Sequence, residues 1–310
     1  MIRHLRPTDT TALLPFRHAA GPAQAFTVAG ALEPALQGFP VTRYVALALS
    51  LRAWRQCWVD CDDHGIGTVA RIGARNSPQA WEVRDLFTVE RDEERCAQML
   101  REIRSAAIGQ QVLRVFLRAE QGSWLIFPAR RAGYEPNCAE TLYVLAHTGR
   151  NGLSLQEAAP EGIRARHSKD DAALFRLYCA TAPVEIRAES GMTATEWSSA
   201  LEKAWQRPHE MVLDRESQIA AWMRYGPVQG WWYFSIMARQ TAVDDLPGLI
   251  QMAISQSAGR PIATLVAAYD TAQAAVLERL GFTPERKFEV MTQTMAARVR
   301  APKGVVVAAS

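Results

Sequence analysis

The sequence predicts an α/β protein with mixed sheets, one plan written twice in tandem, each copy a mixed sheet flanked by helices. Three observations predict this. The opening Ile2-Arg3-His4-Leu5-Arg6-Pro7-Thr8-Asp9 recurs in form as Ile163-Arg164-Ala165-Arg166-His167-Ser168-Lys169-Asp170. The segment Arg130-Arg131-Ala132-Gly133-Tyr134-Glu135-Pro136 recurs as Glu278-Arg279-Leu280-Gly281-Phe282-Thr283-Pro284, and each leads into an alternating run, 141–145 and 288–295. The openings are 161 residues apart and Gly133 and Gly281 are 148 apart, a difference that loops absorb. The units are therefore 1–148 and 163–310. Between them Gly149, Gly152, Pro160 and Gly162 interrupt any sustained period, so 149–162 reads as a linker.

In the first copy a short strand enters a helix at Pro7, and 31–55 is ambiguous, helical with an uncertain exit. A hairpin follows at 57–61 and 67–72, turning at Gly65-Ile66-Gly67. Then come strand 81–89, helix 96–107, strand 112–119 and a helix closing at Gly133. The second copy reads strand 163–166, helix 170–182, helix 193–206, then strands 211–214, 219–225 and 231–238, the last turn at 226–230. Leu249, Ile250, Ala253 and Ile254 have helical spacing within 246–257. Strand 262–269, a helix over 271–280 stopped by Gly281, and strand 287–295 complete it.

Composition narrows the function. With 35 Lys+Arg against 32 Asp+Glu, the formal charge of +3 exerts no strong pull on nucleic acid or anionic membrane. No apolar run reaches the ~18 to 20 residues of a bilayer span, and Met1 leads into polar sequence without a signal core, so the chain is expected to be cytoplasmic. The five cysteines are expected to be reduced thiols. Cys57-x3-Cys61 beside Asp62, Asp63 and His64 lacks the second pair of a structural zinc site, and Cys57, Val59 and Cys61 alternate as a strand face would; no metal is expected. Nucleophile-elbow, Walker, His-Glu-x-x-His and dinucleotide-binding motifs are absent. The arginines of the first copy, Arg71, Arg75, Arg84, Arg101, Arg104, Arg114, Arg118, Arg130 and Arg131, read as a solvated surface.

The element order, the duplication and the Gly-aromatic-x-Pro helix endings at Gly133-Tyr134-Glu135-Pro136 and Gly281-Phe282-Thr283-Pro284 resemble the GNAT (N-acetyltransferase-like) acyltransferase superfamily over almost the whole chain. The resemblance implies two tandem GNAT-like domains, each with a sheet splayed between its fourth and fifth strands. It also implies an acyl-CoA co-substrate whose pantetheine lies in that opening and whose pyrophosphate sits on the next helix. Members carry Arg/Gln-x-x-Gly-x-Gly/Ala there, because glycines let backbone N–H groups close on phosphate at a helix start. Here Arg91 stands at the Arg/Gln position, with Glu94 and Cys96 for glycines, and in the second copy Thr241, with Asp244 and Leu246. A carboxylate ~5 Å from a phosphate is opposed by about 3 kcal/mol at an effective dielectric of ~20. The helix terminus attracts the anion by only about 0.3 to 1 kcal/mol. Two readings stay open: Asp92, Glu93, Glu94, Asp244 and Asp245 cap their own helices, with Pro247 in a first turn, or they point outward from a relaxed CoA site. Candidate cofactor contacts are Val89, Arg91, Arg95, Met237, Arg239 and Gln240.

The family's general acid, a tyrosine four residues before that glycine, is Ala129 or Leu277 here, and its helix-starting asparagine aligns with Gly122 or Asp270. Tyr269, at the end of the fifth strand, is the substitute acid, and Glu82 or Asp85, on opposite faces of the fourth strand, the amine-activating base. Either carboxylate equally suits an exposed strand face. Trp222, Tyr225, Trp231, Trp232, Tyr233 and Phe234 crowd two neighbouring strands as core or as an apolar ligand pocket. The expected function is transfer of an acetyl or other acyl group from acyl-CoA to a small amine, with degenerate pyrophosphate loops. The alternative is a catalytically inactive tandem GNAT fold that holds an apolar small molecule or a protein partner. Tandem Fem-type transferases, which use aminoacyl-tRNA, are disfavoured by the balanced charge.

Overall fold

Alternating apolar strands punctuated by turns, and helices with one apolar face, organise the residues that the computed structural model describes: 1–33, 38–50, 56–146, 159–205 and 207–295. The first half runs β1 (Ile2–His4), α1 (Leu13–Ala19), α2 (Val28–Leu32), α3 (Val41–Leu49), β2 (Cys57–Asp62) and β3 (Gly65–Ala74). It continues with β4 (Ala80–Thr88), α4 (Glu93–Gly109), β5 (Arg114–Glu120), α5 (Ile126–Arg131) and β6 (Glu135–Leu145). The second half opens with β7 (Ile163–Ala165), α6 (Asp171–Thr181), α7 (Val184–Ser190) and α8 (Ala194–Ala200). Strands β8 (His209–Arg215), β9 (Gln218–Val228) and β10 (Trp231–Ala238) follow, then α9 (Leu246–Gln256), β11 (Ile262–Ala267), α10 (Thr271–Arg279) and β12 (Thr283–Thr294).

All twelve strands form one sheet in the order β1-β2-β3-β4-β5-β12-β6-β11-β10-β9-β8-β7. Neighbours are antiparallel except β4 with β5 and β10 with β11. The two halves exchange their last strands. β12 of the second half pairs with β5 of the first, from Phe288↔Glu120 to Thr294↔Arg114, and β6 pairs with β11, from Ile262↔Leu145 to Ala267↔Glu140. β12 and β6 also pair with each other, from Thr283↔Val144 to Thr292↔Glu135. The cores follow the exchange: Met291 of β12 joins Met99, Leu100, Ile103 and Tyr134 under α4, while Tyr143 of β6 joins Leu249, Ile250, Phe234 and Phe282 under α9 and α10. A third core gathers Phe16, Phe39, Tyr44 and Phe87 beneath α1 and α3, and Phe288 of β12 enters it.

Both helix-ending glycines adopt positive φ, Gly133 at +92° and Gly281 at +83°, as the Gly-aromatic pattern predicts. At Gly133 a second constraint acts. Gln293 of β12 donates from Nε2 to the Ala132 carbonyl at 2.7 Å, and a Cβ on Gly133 would stand 2.8 Å from that nitrogen. The end of α5 is thereby tied to the exchanged strand.

Three sequence expectations need correction. The helix expected over 193–206 ends at Ala200, because the next turn leaves the helix and carries Glu202 to Arg118 at 2.7 Å; Gln206 lies outside the described residues. α7 was not anticipated at all. The arginines of the first half are not one solvated surface: Arg118 is 4 % and Arg114 6 % exposed, and Arg71 and Arg75 are ion-paired to Asp85 and Glu82. The linker expected at 149–162 falls largely outside the described residues; of the ambiguous span 31–55 only 34–37 and 51–55 do, and the described part carries the end of α2 and the whole of α3, as its helical reading expects. All five cysteines are free, and burial pushes the Cys57 thiol up to about 12. Among the described residues no helix is long and apolar enough to cross a membrane, and no group of three His, Cys, Asp or Glu is placed to hold a metal.

Phe288 tests the exchange energetically. It is fully buried and meets Phe26 edge-on at 5.7 Å. Phe288→Ala is expected to cost about 3 to 5 kcal/mol in urea unfolding, with hydrogen-exchange protection falling in β5 as well as β6. Protection falling in only one of the two strands would show that β12 does not brace both.

Candidate functional site

A parallel strand pair opens a cleft wherever its two strands stop pairing, because each then carries a row of backbone donors and acceptors without a strand partner. The fold has two such clefts. In the first half, pairing runs from Ala80↔Arg114 to Val83↔Leu117 and then stops. Residues 21–26 of the same chain occupy that cleft. Gly21 and Gln24 donate N–H to the Thr88 and Leu86 carbonyls of β4 at 3.0 and 2.9 Å, and Phe26 donates to the Arg118 carbonyl of β5 at 2.9 Å. Ala23, Ala25 and Phe26 are buried there.

The helix start beyond this cleft is also taken. Asp92 caps α4 by accepting the Arg95 N–H at 2.9 Å, as the sequence suggested. The Arg95 guanidinium crosses β3 in the space left by Gly67 and pairs with Asp62 at 2.6 Å and Asp60 at 3.2 Å. Arg91 is an exposed partner of Glu93 at 3.1 Å. Val89 and Arg95 line only a shallow cavity of about 220 Å³ with Phe16 and Ile66.

In the second half, pairing stops after Trp232↔Ile262 and Tyr233↔Ala263, two residues into the pair. Trp232 N–H donates toward β11, to Pro261 O at 2.8 Å, and Arg239 N–H toward β9, to Ala220 O at 2.8 Å. Strand alternation therefore turns the backbone groups of Ile236 and Ala238 into the cleft. Among the described residues no segment bonds to them there. The cleft is a cavity of about 330 Å³ walled by Ser235, Met237, Ala238 and Gln240 on one side and Leu265, Ala267, Tyr269 and Asp270 on the other. It meets a central cavity of about 250 Å³, and Glu140, Arg224, Ser235 and Tyr269 line both. Asn137, Cys138 and Glu140 of β6 and Val290 of β12 wall the central cavity, so the strand exchange builds it.

The turn beyond β10 departs from the self-capping expectation. Asp245 makes no cap hydrogen bond to α9; its carboxylate pairs with Arg215 at 2.7 Å. Pro247 does occupy the first turn. Asp270 caps α10 by accepting the Gln273 N–H at 3.1 Å, and burial raises its pKa above the ordinary carboxylate value. Tyr269 stands at the rim, 43 % exposed, and desolvation by the cavity walls, reinforced by Cys138 and Asp270, raises its phenol pKa, so it keeps its proton at neutral pH.

A buried ion-pair network floors the central cavity. Arg118 binds Glu202 through both terminal nitrogens at 2.9 and 2.7 Å, and Glu140 through Nε at 2.9 Å. Glu202 also accepts the Val28 N–H at 2.7 Å. Burial alone would raise the Glu202 pKa, but the charge and hydrogen bonds of Arg118, with Arg75 and the Val28 N–H, hold it near 2.

The sequence-predicted residues divide accordingly. Tyr269, Asp270, Met237 and Gln240 come together around the second-half cleft; Arg239 follows them on β10's exit, its Nε donating to Ile219 O at 3.3 Å. Val89, Arg91 and Arg95 lie apart, at the occupied first-half cleft. Glu82 is buried between Arg75 at 3.5 Å and Arg84 at 3.3 Å, away from the cavity linings, and burial, then the charge of Glu202, raises its pKa. Asp85 is buried against Arg71 and Tyr44, so neither carboxylate lies on an exposed strand face. The sequence reading missed Glu140, Arg224, Trp205 and Glu202. For Glu140 the only signal was a carboxylate breaking the apolar run into 141–145.

No family model and no curated protein sequence matches the chain. Solved structures do. A GCN5-related N-acetyltransferase from Sphaerobacter thermophilus superposes with a TM-score of 0.54 at 14 % identity, covering 95 % of each chain. A tandem GNAT protein from the clavulanic acid biosynthesis pathway superposes at 0.51 and 13 % identity, over 95 % of this chain and 98 % of its own. A conserved protein of unknown function from Staphylococcus epidermidis gives 0.52 at 12 % identity over 76 % and 93 %. The chain has the tandem GNAT fold.

The depressed Glu202 pKa makes a pH prediction. A carboxyl whose folded pKa lies below its unfolded value stabilises above the unfolded value, ordinarily 4.5, and that stability is lost as pH falls toward about 2. The urea midpoint of the native chain should therefore fall more steeply between pH 4.5 and 2 than that of Glu202→Gln. At neutral pH the variant should be about 3 to 5 kcal/mol less stable, because Arg118 loses its bidentate partner. Parallel pH profiles would remove Glu202 from the stabilising network.

Proposed function

We propose that the chain is an acyl-CoA-dependent N-acyltransferase that acylates a small amine, with its donor site in the second-half cleft and none in the first. The observation that carries this is the asymmetry of the two clefts: residues 21–26 hold the first by backbone hydrogen bonds, while the second leaves Ile236 and Ala238 turned into an open cavity. The fold shared with a GCN5-related N-acetyltransferase and a tandem GNAT protein supports the reaction class. The two units, 1–148 and 163–310 around a linker at 149–162, are read as a duplication in which only the second copy kept its opening. Five free thiols suit a cytoplasmic enzyme.

Acyl-CoA supplies the thioester carbonyl. Ile236 and Ala238 present the strand edge that an extended amide-bearing arm would hydrogen-bond, and Gln240 and Arg239 stand where the arm leaves β10. Arg215, paired with Asp245, offsets one of the two carboxylates at that turn. The acceptor nitrogen, deprotonated, forms the new C–N bond as the C–S bond breaks. Glu140, which lines both cavities, is placed to take the ammonium proton, and Tyr269, protonated at the rim, to give one to the departing thiolate.

Calorimetry should find one acetyl-CoA bound per chain, abolished by Ser235→Trp, which fills the junction of the two cavities. Tyr269→Phe and Glu140→Gln should each lower kcat by about 10² or more with smaller changes in KM. Two molecules bound per chain would refute the one-cleft reading. Binding without turnover for any amine and acyl donor would favour the reading as an inactive fold, for which Ala129 and Leu277 at the usual acid position speak.

A further inference from the structure

One guanidinium in the cavities stands apart from the network. Three arginines, Arg75, Arg118 and Arg224, and two carboxylates, Glu140 and Glu202, line the central cavity. Arg118 takes both carboxylates, and Arg75 lies 3.5 Å from Glu82 and 3.9 Å from Glu202. The guanidinium of Arg224, on β9, has no hydrogen bond or ion pair among the described residues, its backbone being paired in the sheet. It lines the central cavity, the donor cleft and a third cavity of about 660 Å³ between α6, α8 and β8.

Arg224 is held by aromatic faces. Its guanidinium carbon sits 4.8 Å from the Trp222 ring centre and 5.2 Å from that of Trp205. Glu210, opposite it in the β8–β9 register, is turned away, accepting from Trp222 Nε1 at 3.2 Å and lying 3.4 Å from Arg166. Contact with two aromatic faces confines the guanidinium while its N–H groups remain available, and a guanidinium can receive a carboxylate through two parallel hydrogen bonds. Partial burial among these walls disfavours the charged guanidinium, Glu210 and Glu202 favour it only from a distance, and a ligand that supplies a direct counter-charge recovers that cost.

We infer that the acyl acceptor is an amino acid, an amine carrying a carboxylate that Arg224 receives, with its apolar side chain against Trp197, Leu201 and Trp205 and its amino group toward the donor cleft. This rests on the acyltransferase reading for the amine but not for the carboxylate. A carboxylate on the acyl group is the competing source of the same contact.

The test is calorimetry on the whole chain with leucine and phenylalanine, each against its carboxamide, without acyl-CoA. Each acid is expected to bind at least about 10-fold more tightly than its amide, Arg224→Gln to erase the difference and Arg224→Lys to retain part of it. Acids and amides binding equally, or neither binding, overturns the inference whether or not the chain turns over acetyl-CoA. Succinyl-CoA losing affinity in Arg224→Gln while acetyl-CoA does not would move the contact to the donor and also overturn it. Acid-selective binding with no turnover would sustain the carboxylate site and sink the transferase reading.

Discussion

Between β5 and β6 lies a slot one strand wide, and β12 fills it with antiparallel hydrogen bonds on both edges. Without it, two rows of backbone groups in the middle of the sheet would lack partners, and Phe288, Val290 and Met291 would leave three different apolar clusters. The same strand carries Gln293 to the helix end at Gly133 and sets Val290 in the wall of the central cavity. The site is thus a product of the exchange: its walls come from both halves, and neither half's consecutive strands would enclose it.

Within that frame the two parallel strand pairs differ in what fills them. Both parallel pairs splay, but the first is filled by a stretch of its own chain whose N–H groups bond to β4 and β5, and its helix start is closed by Asp92 and by Arg95 locked to carboxylates. In the second the splay begins after two residue pairs, and α6, α7 and α8 cover the cavities without entering the strand gap. Asp245 is drawn to Arg215 instead of capping its helix, so two acidic turns that read alike in sequence have different electrostatics.

Buried charge gives the centre its specificity of shape. Arg118 joins Glu140 of the first half's last strand to Glu202 of the second half's helical layer, and Val28 adds an N–H from the first half's helical layer. The penalty of burying these groups is offset only while all partners are present, which fixes how the loop after α8 meets the sheet. Arg224 lies beside this network but outside its pairing, stacked on tryptophans.

Legible in the amino-acid order were the duplicated plan, most strands and the longer helices, and the glycines that end α5 and α10, because these follow from local periodicity and backbone sterics; α7 and the early end of α8 were not. Tyr269, Asp270, Met237 and Gln240 could be put at the ends of elements whose order was readable, and those ends meet around one cavity. Which half each last strand joins came from the assembled sheet alone, because two equivalent strands present the same alternation to either slot. The tertiary structure likewise decided which arginines are buried and which cleft stays open, because Arg118 meets a carboxylate 84 residues away and the first cleft's occupant is an irregular segment without periodicity.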